Sequence, residues 1–348
     1  MISRTNNFDF MRLLFAALVV ISHSYVLSGT GQYEPFSKIT LHRIELSYLG
    51  VHGFFIISGY LIFKSLLRCK GLVDFYWKRI LRLFPALTVI LIFTVLLAPA
   101  VYENNIPYYK NSDVYSYIPL NMTLFFRQKG IDGVFESNPY KHSINGSLWT
   151  ISYEFSMYVM VSALYFIRKK TYLKYIVLLL FLLSYSLSIF QPYFLNGLFA
   201  KIALSSKHFY NLMCFFTGGM FITYLDIKNK RRENIIIILS TIIFSAGIYL
   251  DITVYTSYLT LPLIVIFLGR RSTPLINKVG QTIGDTSYGI YIYSFPVQQT
   301  LVHLYRSDAI TLLIFSLPIS IILGYISWHL IEKRALKYKD LFVRKSIL

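Results

Sequence analysis

The chain consists mainly of apolar runs separated by short polar segments. Ten runs are long enough, or nearly long enough, to cross a bilayer as helices, since a perpendicular span needs about 20 residues. They cover residues 8–27, 48–67, 83–101, 147–167, 173–190, 209–225, 235–250, 254–268, 287–305 and 310–331. The pattern predicts an all-α integral membrane protein with about ten transmembrane helices, formed by a single domain over residues 1–348.

Composition and charge predict how the chain is oriented in the membrane. Of the 348 residues, 55% are hydrophobic and 14% are charged, yet the formal net charge is +18. If the N-terminus is cytoplasmic, the cytoplasmic segments hold 23 Lys and Arg residues and the outer segments hold nine. This is the positive-inside distribution, so we predict that both termini are cytoplasmic. The basicity therefore reports membrane orientation and argues against a nucleic-acid partner.

Arg12, His23 and Glu154 are ionisable residues inside the predicted spans, where such groups are costly and usually functional. Arg12 and His23 are eleven residues apart on the first helix, which puts them on one face within about 20° and separates them by about 16 Å. His23 and Glu154 both lie about 7–10 Å below the outer boundary. If Glu154 lies beside His23, its carboxylate would raise the basicity of the imidazole, and His23 could then act as a general base. Alternatively, each is satisfied separately in the bundle, with Arg12 paired to Asp9 or snorkelling to the interface.

Two further patterns suggest binding sites. Arg79 and Arg82, three residues apart, share a face of a helical turn and suit a phosphate ligand, although an ordinary positive flank fits as well. The outer segment 102–146 is rich in Tyr, Asn and Pro and suits either a sugar or an interfacial aromatic belt. Cys69 and Cys214 support neither a disulfide framework nor a metal cluster, so no metal site is predicted.

Five motifs stand in one order along the chain. They are the Arg12–His23 spacing, GVHGFFIISGYLI from residue 50, the Arg79-x-x-Arg82 pair, NGSLWTISYEF over 145–155, and SYGIYIYSFPVQ over 287–298. In this order and spacing the chain resembles the acyltransferase family 3 membrane proteins, in particular the O-acetyltransferases of bacterial surface polysaccharides.

The resemblance implies an enzyme of the bacterial inner membrane. It would take an acetyl group from cytoplasmic acetyl-CoA, with no tightly bound cofactor, and pass it to a hydroxyl of a polysaccharide or lipid-linked oligosaccharide on the outer side. Carried over by matching position, the site residues are catalytic His23, Glu154 and Arg12, CoA-binding Arg79 and Arg82, and substrate-binding Trp149, Asn145 and Tyr288. We expect the pantetheine arm to follow the Arg12 face of the first helix towards His23.

The sequence departs from the family pattern at two positions. Ser294 stands where many members have a second histidine, so a mechanism that needs this histidine does not operate here. His52 stands where many members have a small or acidic residue, and we expect it to pack in the bundle. Ten helices with embedded Arg, His and Glu also suit a proton-coupled transporter or a glycan flippase, but the chain lacks the internal repeat typical of those proteins.

Overall fold

The computed structural model of the protein describes residues 6–227 and 229–344. The described residues contain ten long helices, which we number in chain order. They are α1 (Phe8–Leu27), α2 (Leu46–Arg68), α3 (Leu72–Leu97), α4 (Trp149–Ala163), α5 (Leu173–Phe190), α6 (Ser206–Phe221), α7 (Lys230–Tyr249), α8 (Thr253–Arg270), α9 (Ser287–Tyr305) and α10 (Ala309–Ser327). Shorter helices include Ser112–Met122 in the long loop before α4.

The predicted all-α class is confirmed over the described residues, which hold no β-strand and one isolated bridge between Tyr102 and Val134. Eight helical segments are long and apolar enough to cross a membrane, and α6 and α9 are not among them. The number ten and the orientation of the termini therefore stay predictions. Arg4, Lys228 and Lys345, three of the residues in the charge count, lie outside the described residues.

One predicted boundary is wrong. The third span was predicted over 83–101, whereas α3 begins at Leu72 and ends at Leu97, followed by a 3-10 turn over Ala98–Val101. The charged side chains just before residue 83 indicated a loop, but Lys78, Arg79 and Arg82 lie on the helix. Lys78 pairs with Asp74 one turn away at 2.7 Å, and such i, i+4 pairs support a helix. The arginines of this segment face the interior of the bundle.

Helix α1 lies at the centre of the bundle and packs against α2, α9 and α10. Helices α2 and α6 also cross closely, because Gly59 and Gly219 each face the backbone of the other helix. A Cβ at Gly59 would overlap the carbonyl group of Phe216, and one at Gly219 would overlap that of Ile56. Small residues let membrane helices approach to backbone contact, so these two glycines fix the position of α2 beside α6.

The bundle has two distinct ends. We call the end formed by the start of α1, the turn 69–71 and segments 271–286 and 333–344 the basic end. The opposite end, formed by segments 28–45, 98–148 and 191–205, we call the loop end. Between them, α5 and α7 turn apolar side chains outwards, including Leu179, Leu182 and Ile242. An apolar outer surface of this kind matches the lipid-facing side of a membrane protein.

Candidate active site

A cavity of about 770 Å³ enters the bundle from the basic end. Asn6, Gly280 and Lys339 line its mouth, so both described ends of the chain lie there. Along α2 the lining runs from Arg68 to Val51, which is about 25 Å at 1.5 Å per residue. The hydrocarbon core of a bilayer is about 30 Å thick. The cavity therefore reaches most of the way through the bundle.

The cavity is positively charged. Eight basic side chains and three carboxylates line it, which gives a formal excess of five positive charges. The basic residues are Arg12, Lys64, Arg68, Lys78, Arg79, Arg82, Arg270 and Lys339, and the acidic ones are Asp9, Glu154 and Asp285. A cleft of one sign inside low-dielectric walls concentrates ligands of the opposite charge, so this cavity favours an anionic ligand.

Two of the predicted arginines share one carboxylate. Asp285 Oδ2 accepts hydrogen bonds from Arg12 Nη1 at 2.9 Å and from Arg82 Nη2 at 2.7 Å. Ser287 donates to Asp285 Oδ1 at 2.8 Å, and Arg82 Nη1 reaches Glu332 Oε2 at 3.1 Å. Burial raises the pKa of Asp285, but Arg82 and Arg12 outweigh this and lower it to about 2. Asp285 is therefore a carboxylate that ties α1 to α3.

Arg79 has a different environment from Arg82. Its Nε is buried without a hydrogen-bond partner, and its Nη2 makes one long contact of 3.4 Å to Ser65 Oγ. Among the described residues no carboxylate lies within ion-pair distance of it. The rings of Phe75 and Tyr158 lie 5.7 and 6.0 Å from the guanidinium carbon. An unpaired buried cation is costly, so of the two predicted phosphate-binding arginines Arg79 is the one with charge free for a ligand.

Glu154 lies in this cavity and not against His23. Its Oε1 accepts hydrogen bonds from Ser58 Oγ at 2.9 Å and from the Tyr158 hydroxyl at 2.6 Å. No hydrogen bond joins it to His23 among the described residues. Equal depth in the membrane does not fix the direction in which two helices turn their side chains. The structure thus brings Glu154 together with Arg12, Arg79 and Arg82.

His23 is half-buried outside the cavity lining. Its ring meets the edge of Phe295 with centroids 5.3 Å apart, and its Nδ1 is buried without a hydrogen-bond partner in the described chain. Phe295 also contacts Tyr140, with ring centroids 5.9 Å apart, and would meet a Cβ placed on Gly146. His23 therefore faces the loop end, beneath the segment that leads into α4.

Asn145 joins this loop segment to α9. Pro296 has no N–H, so the carbonyl of Ile292 four residues earlier lacks its helical donor. Asn145 Nδ2 supplies that hydrogen bond at 2.8 Å, while its Oδ1 accepts from the Ser147 N–H at 3.2 Å. Both ends of the Asn145 amide are thus used within the protein. This gives Asn145 a structural role, and its predicted role in substrate binding stays a prediction.

The two other predicted substrate residues lie in different places. Tyr288 lines the cavity, donates its hydroxyl to the Leu83 carbonyl at 3.1 Å and lies with its ring 5.8 Å from the Arg82 guanidinium carbon. Trp149 lies outside the cavity lining and packs against Tyr153 and His208, with ring centroids 5.5 and 5.2 Å apart. The structure therefore groups Tyr288 with the arginines and leaves Trp149 apart from them.

The two residues that depart from the family pattern, His52 and Ser294, are both buried. His52 is buried, with Nδ1 2.7 Å from the Tyr48 carbonyl and Nε2 2.7 Å from Asn211 Oδ1. This agrees with the expectation that His52 packs. Ser294 is fully buried, and its hydroxyl donates to the Tyr291 carbonyl of the same helix at 3.2 Å. A serine in this arrangement does not replace the family histidine as a base.

Sequence reasoning missed Asp285, Glu332 and Arg127. The two acidic residues were counted with loops and helix ends, although Asp285 stands two residues before the SYGIYIYSFPVQ motif and Glu332 directly follows the last apolar run. Their positions beside these segments were the available signal. Arg127 lies in the segment 98–148 at the loop end, its Nε is buried without a hydrogen-bond partner among the described residues, and burial lowers its pKa. Nothing in the local sequence marks Arg127.

A family model described as an acyltransferase domain matches residues 5–329. The chain belongs to this acyltransferase family. An O-acetyl transferase of Shigella phage Sf6 is 31% identical to the acyltransferase over 342 residues, which is 96% of each chain. Nodulation protein 10 of Rhizobium leguminosarum bv. viciae is 39% identical over 84 residues, 24% of this chain and 22% of that protein. No solved structure gives a significant match.

Family membership decides between the classes of function that the sequence left open. The acyltransferase is an enzyme of a membrane family, and the transporter alternative has no comparable support. The resemblance inferred from the five motifs is confirmed over nearly the whole chain. What the geometry adds is a division of the predicted site, with Arg12, Arg79, Arg82, Glu154 and Tyr288 around one cavity and His23 beyond it.

Proposed function

We propose that this acyltransferase transfers an acetyl group from acetyl-CoA to a sugar hydroxyl of a bacterial surface polysaccharide. The acceptor is an O-antigen or exopolysaccharide chain or its lipid-linked precursor, and the enzyme works in the inner membrane. The observation that carries the proposal is the basic cavity, which runs from the predicted cytoplasmic end to the level of Thr150 and Tyr291. The relative named as an O-acetyl transferase supports the acetyl group.

The phosphates of the donor are expected to bind at the mouth of the cavity. Arg79 has no carboxylate partner in the described chain, so it is the principal phosphate contact, with Lys64, Arg68 and Lys78 near it in the lining. Guanidinium groups bind phosphate oxygens with paired hydrogen bonds. Arg82 is already held by Asp285 and Glu332, so it shapes the cavity wall and adds charge. The acyl end of the donor then points towards the loop end.

The reaction exchanges one bond for another. The carbonyl–sulfur bond of the thioester breaks, a carbonyl–oxygen bond to the sugar forms, and the hydroxyl proton finally resides on the CoA thiol. His23 is the group best placed to take that proton, because its Nδ1 has no partner in the described chain and a neutral imidazole has one nitrogen that can accept a proton. His23 acts either as a general base or as a transient acetyl carrier. Trapping of an acetyl-imidazole without acceptor distinguishes the two routes.

Deletion and complementation test the proposal. Cells without the gene are expected to lose an O-acetyl signal from the NMR spectrum of their surface polysaccharide, and the wild-type gene restores it. His23→Ala, expressed at the wild-type level, is expected to leave the signal absent. His42→Asn, a matched change of an exposed histidine on the same predicted side, restores it. Full acetylation with His23→Ala would refute the role of His23, and an unchanged spectrum after deletion would refute the proposed acceptor.

A further inference from the structure

The inner end of the cavity is closed by aromatic rings. On α2 the lining ends at Val51 and includes Phe54, and on α9 it ends at Tyr291. The rings of Phe54 and Tyr291 contact each other edge to face, with centroids 5.8 Å apart. These two side chains, from opposite walls, form what we call the aromatic barrier.

Both rings of the aromatic barrier are held in place. The Tyr291 hydroxyl hydrogen-bonds Thr150 Oγ1 at 2.8 Å, and both residues are buried. Phe54 packs edge to face on Phe15, with centroids 6.0 Å apart. Phe15 in turn lies against Gly53, where a Cβ would overlap its ring. These contacts hold both rings on the sides that face away from the cavity, where the interior is closely packed.

His23 lies just beyond this barrier. Its contact residue Phe295 is four residues after Tyr291 on α9, which is about 6 Å along the helix axis. An acyl group that enters from the cavity therefore reaches the barrier before it reaches His23. While the thioester lies at the barrier, an acetyl group places only its carbonyl and methyl beside the rings, whereas a longer acyl chain also has to fit its methylenes beside them.

We propose that Phe54 and Tyr291 limit the size of the acyl group, so that the enzyme uses acetyl donors and rejects butyryl and longer ones. This inference rests on the proposed use of an acyl-CoA donor. One methylene in a fitted pocket changes relative rates by about 10- to 200-fold. Butyryl carries two more methylenes than acetyl, so the acetyl rate is expected to exceed the butyryl rate by at least about 100-fold.

The test uses membrane vesicles from cells that lack the chromosomal gene and carry the wild-type or a variant gene. Radiolabelled acetyl-, propionyl- and butyryl-CoA are supplied on the cytoplasmic side, and label in the polysaccharide fraction is counted. Phe54→Ala removes one ring of the barrier and is expected to lower the acetyl-to-butyryl ratio by at least about tenfold. Phe54→Leu and Tyr291→Leu are milder changes that keep the test open if the alanine variant does not fold.

Phe93→Leu is the matched control. Phe93 contacts Tyr293 on α9, with centroids 6.0 Å apart, but does not line the cavity. It is expected to keep the wild-type preference. A wild-type enzyme that transfers butyryl as fast as acetyl, or folded variants that all keep the wild-type ratio, would overturn the barrier while leaving the proposed function standing. No labelled polysaccharide from any acyl-CoA with the wild-type protein would show that the donor itself is wrong, and the barrier with it.

Discussion

Asp285→Asn tests whether one carboxylate holds the cavity together. The substitution keeps the shape of the side chain and the acceptor for Ser287, but it removes the negative charge between Arg12 and Arg82. All three side chains are largely buried, with 16% of Asp285, 19% of Arg12 and 20% of Arg82 exposed. The change therefore leaves two largely buried guanidinium groups close together with less negative charge to balance them.

Two considerations bracket the magnitude of the effect. Lowering the pKa of Asp285 from 3.8 to about 2 corresponds to about 2 kcal/mol in favour of its charged form. Breaking a buried ion pair costs about 3–5 kcal/mol, and the lower end applies here because Arg82 keeps Glu332. We expect Asp285→Asn to lower the free energy of unfolding by about 2–3 kcal/mol.

The pH dependence has a definite sign. Because the folded-state pKa of Asp285 is lowered, its contribution to stability is present above the ordinary carboxyl pKa near 4 and is lost as the pH falls from about 4 to 2. The wild-type protein is therefore expected to lose this part of its stability over that interval, and Asp285→Asn is expected to show no such loss from this site.

Thermal unfolding in detergent or nanodiscs at pH 7 measures the effect. For a chain of 348 residues, a loss of 1 kcal/mol lowers the melting temperature by about 1.4 °C, so we expect a fall of about 3–4 °C for this substitution. Asp251→Asn is the matched control, because Asp251 pairs with Arg43 but is 76% exposed, and exposed pairs contribute less than about 1 kcal/mol. Equal melting temperatures for the two variants would refute the reasoning. Asp285→Glu, which restores the charge, is expected to recover part of the loss.

Three further substitutions test other parts of the site. Arg79→Gln is expected to raise KM for acetyl-CoA about 10- to 100-fold, since hydrogen bonds to charged groups contribute about 1.5–3 kcal/mol, while exposed Arg231→Gln leaves KM unchanged in the same vesicle assay. Asn145→Ala leaves the Ile292 carbonyl without its donor and is expected to cost about 1–3 kcal/mol, measured by thermal unfolding. Glu154→Gln keeps the acceptor for both hydroxyl donors, so we expect the wild-type melting temperature and a lower transfer rate.

The sequence predicted the helices well because apolar runs of bilayer length have few alternatives. The bounds of α1, α5 and α9 agree with the predicted 8–27, 173–190 and 287–305. The failure at α3 has one physical cause. Hydropathy treats a charged residue as exposed to water, whereas Arg79 and Arg82 lie on a helix and face an interior cavity.

The sequence predicted part of the cavity lining and not its arrangement. The motifs shared with the family include five residues that line the cavity, Arg12, Arg79, Arg82, Glu154 and Tyr288. The sequence did not indicate Asp285, which lies 273 residues from Arg12 in sequence, since such pairs depend on which helices become neighbours. For the same reason the sequence indicated Asp9 as the partner of Arg12, whereas in the structure Arg12 forms an ion pair with Asp285 at 2.9 Å.

The face of α1 that Arg12 and His23 share is filled between them by other side chains. Phe15 and Val19 lie on that face between them, and both pack directly on α2. A Cβ at Gly50 would lie 2.6 Å from Val19 Cγ2 and 2.7 Å from the Phe15 carbonyl oxygen, so α1 and α2 are already in contact there. The expected route for the pantetheine arm along this face is therefore filled by protein. At this level the cavity lies instead beside α2, α4 and α9, where Val51, Thr150 and Tyr291 line it, so we expect the donor to approach His23 past the aromatic barrier.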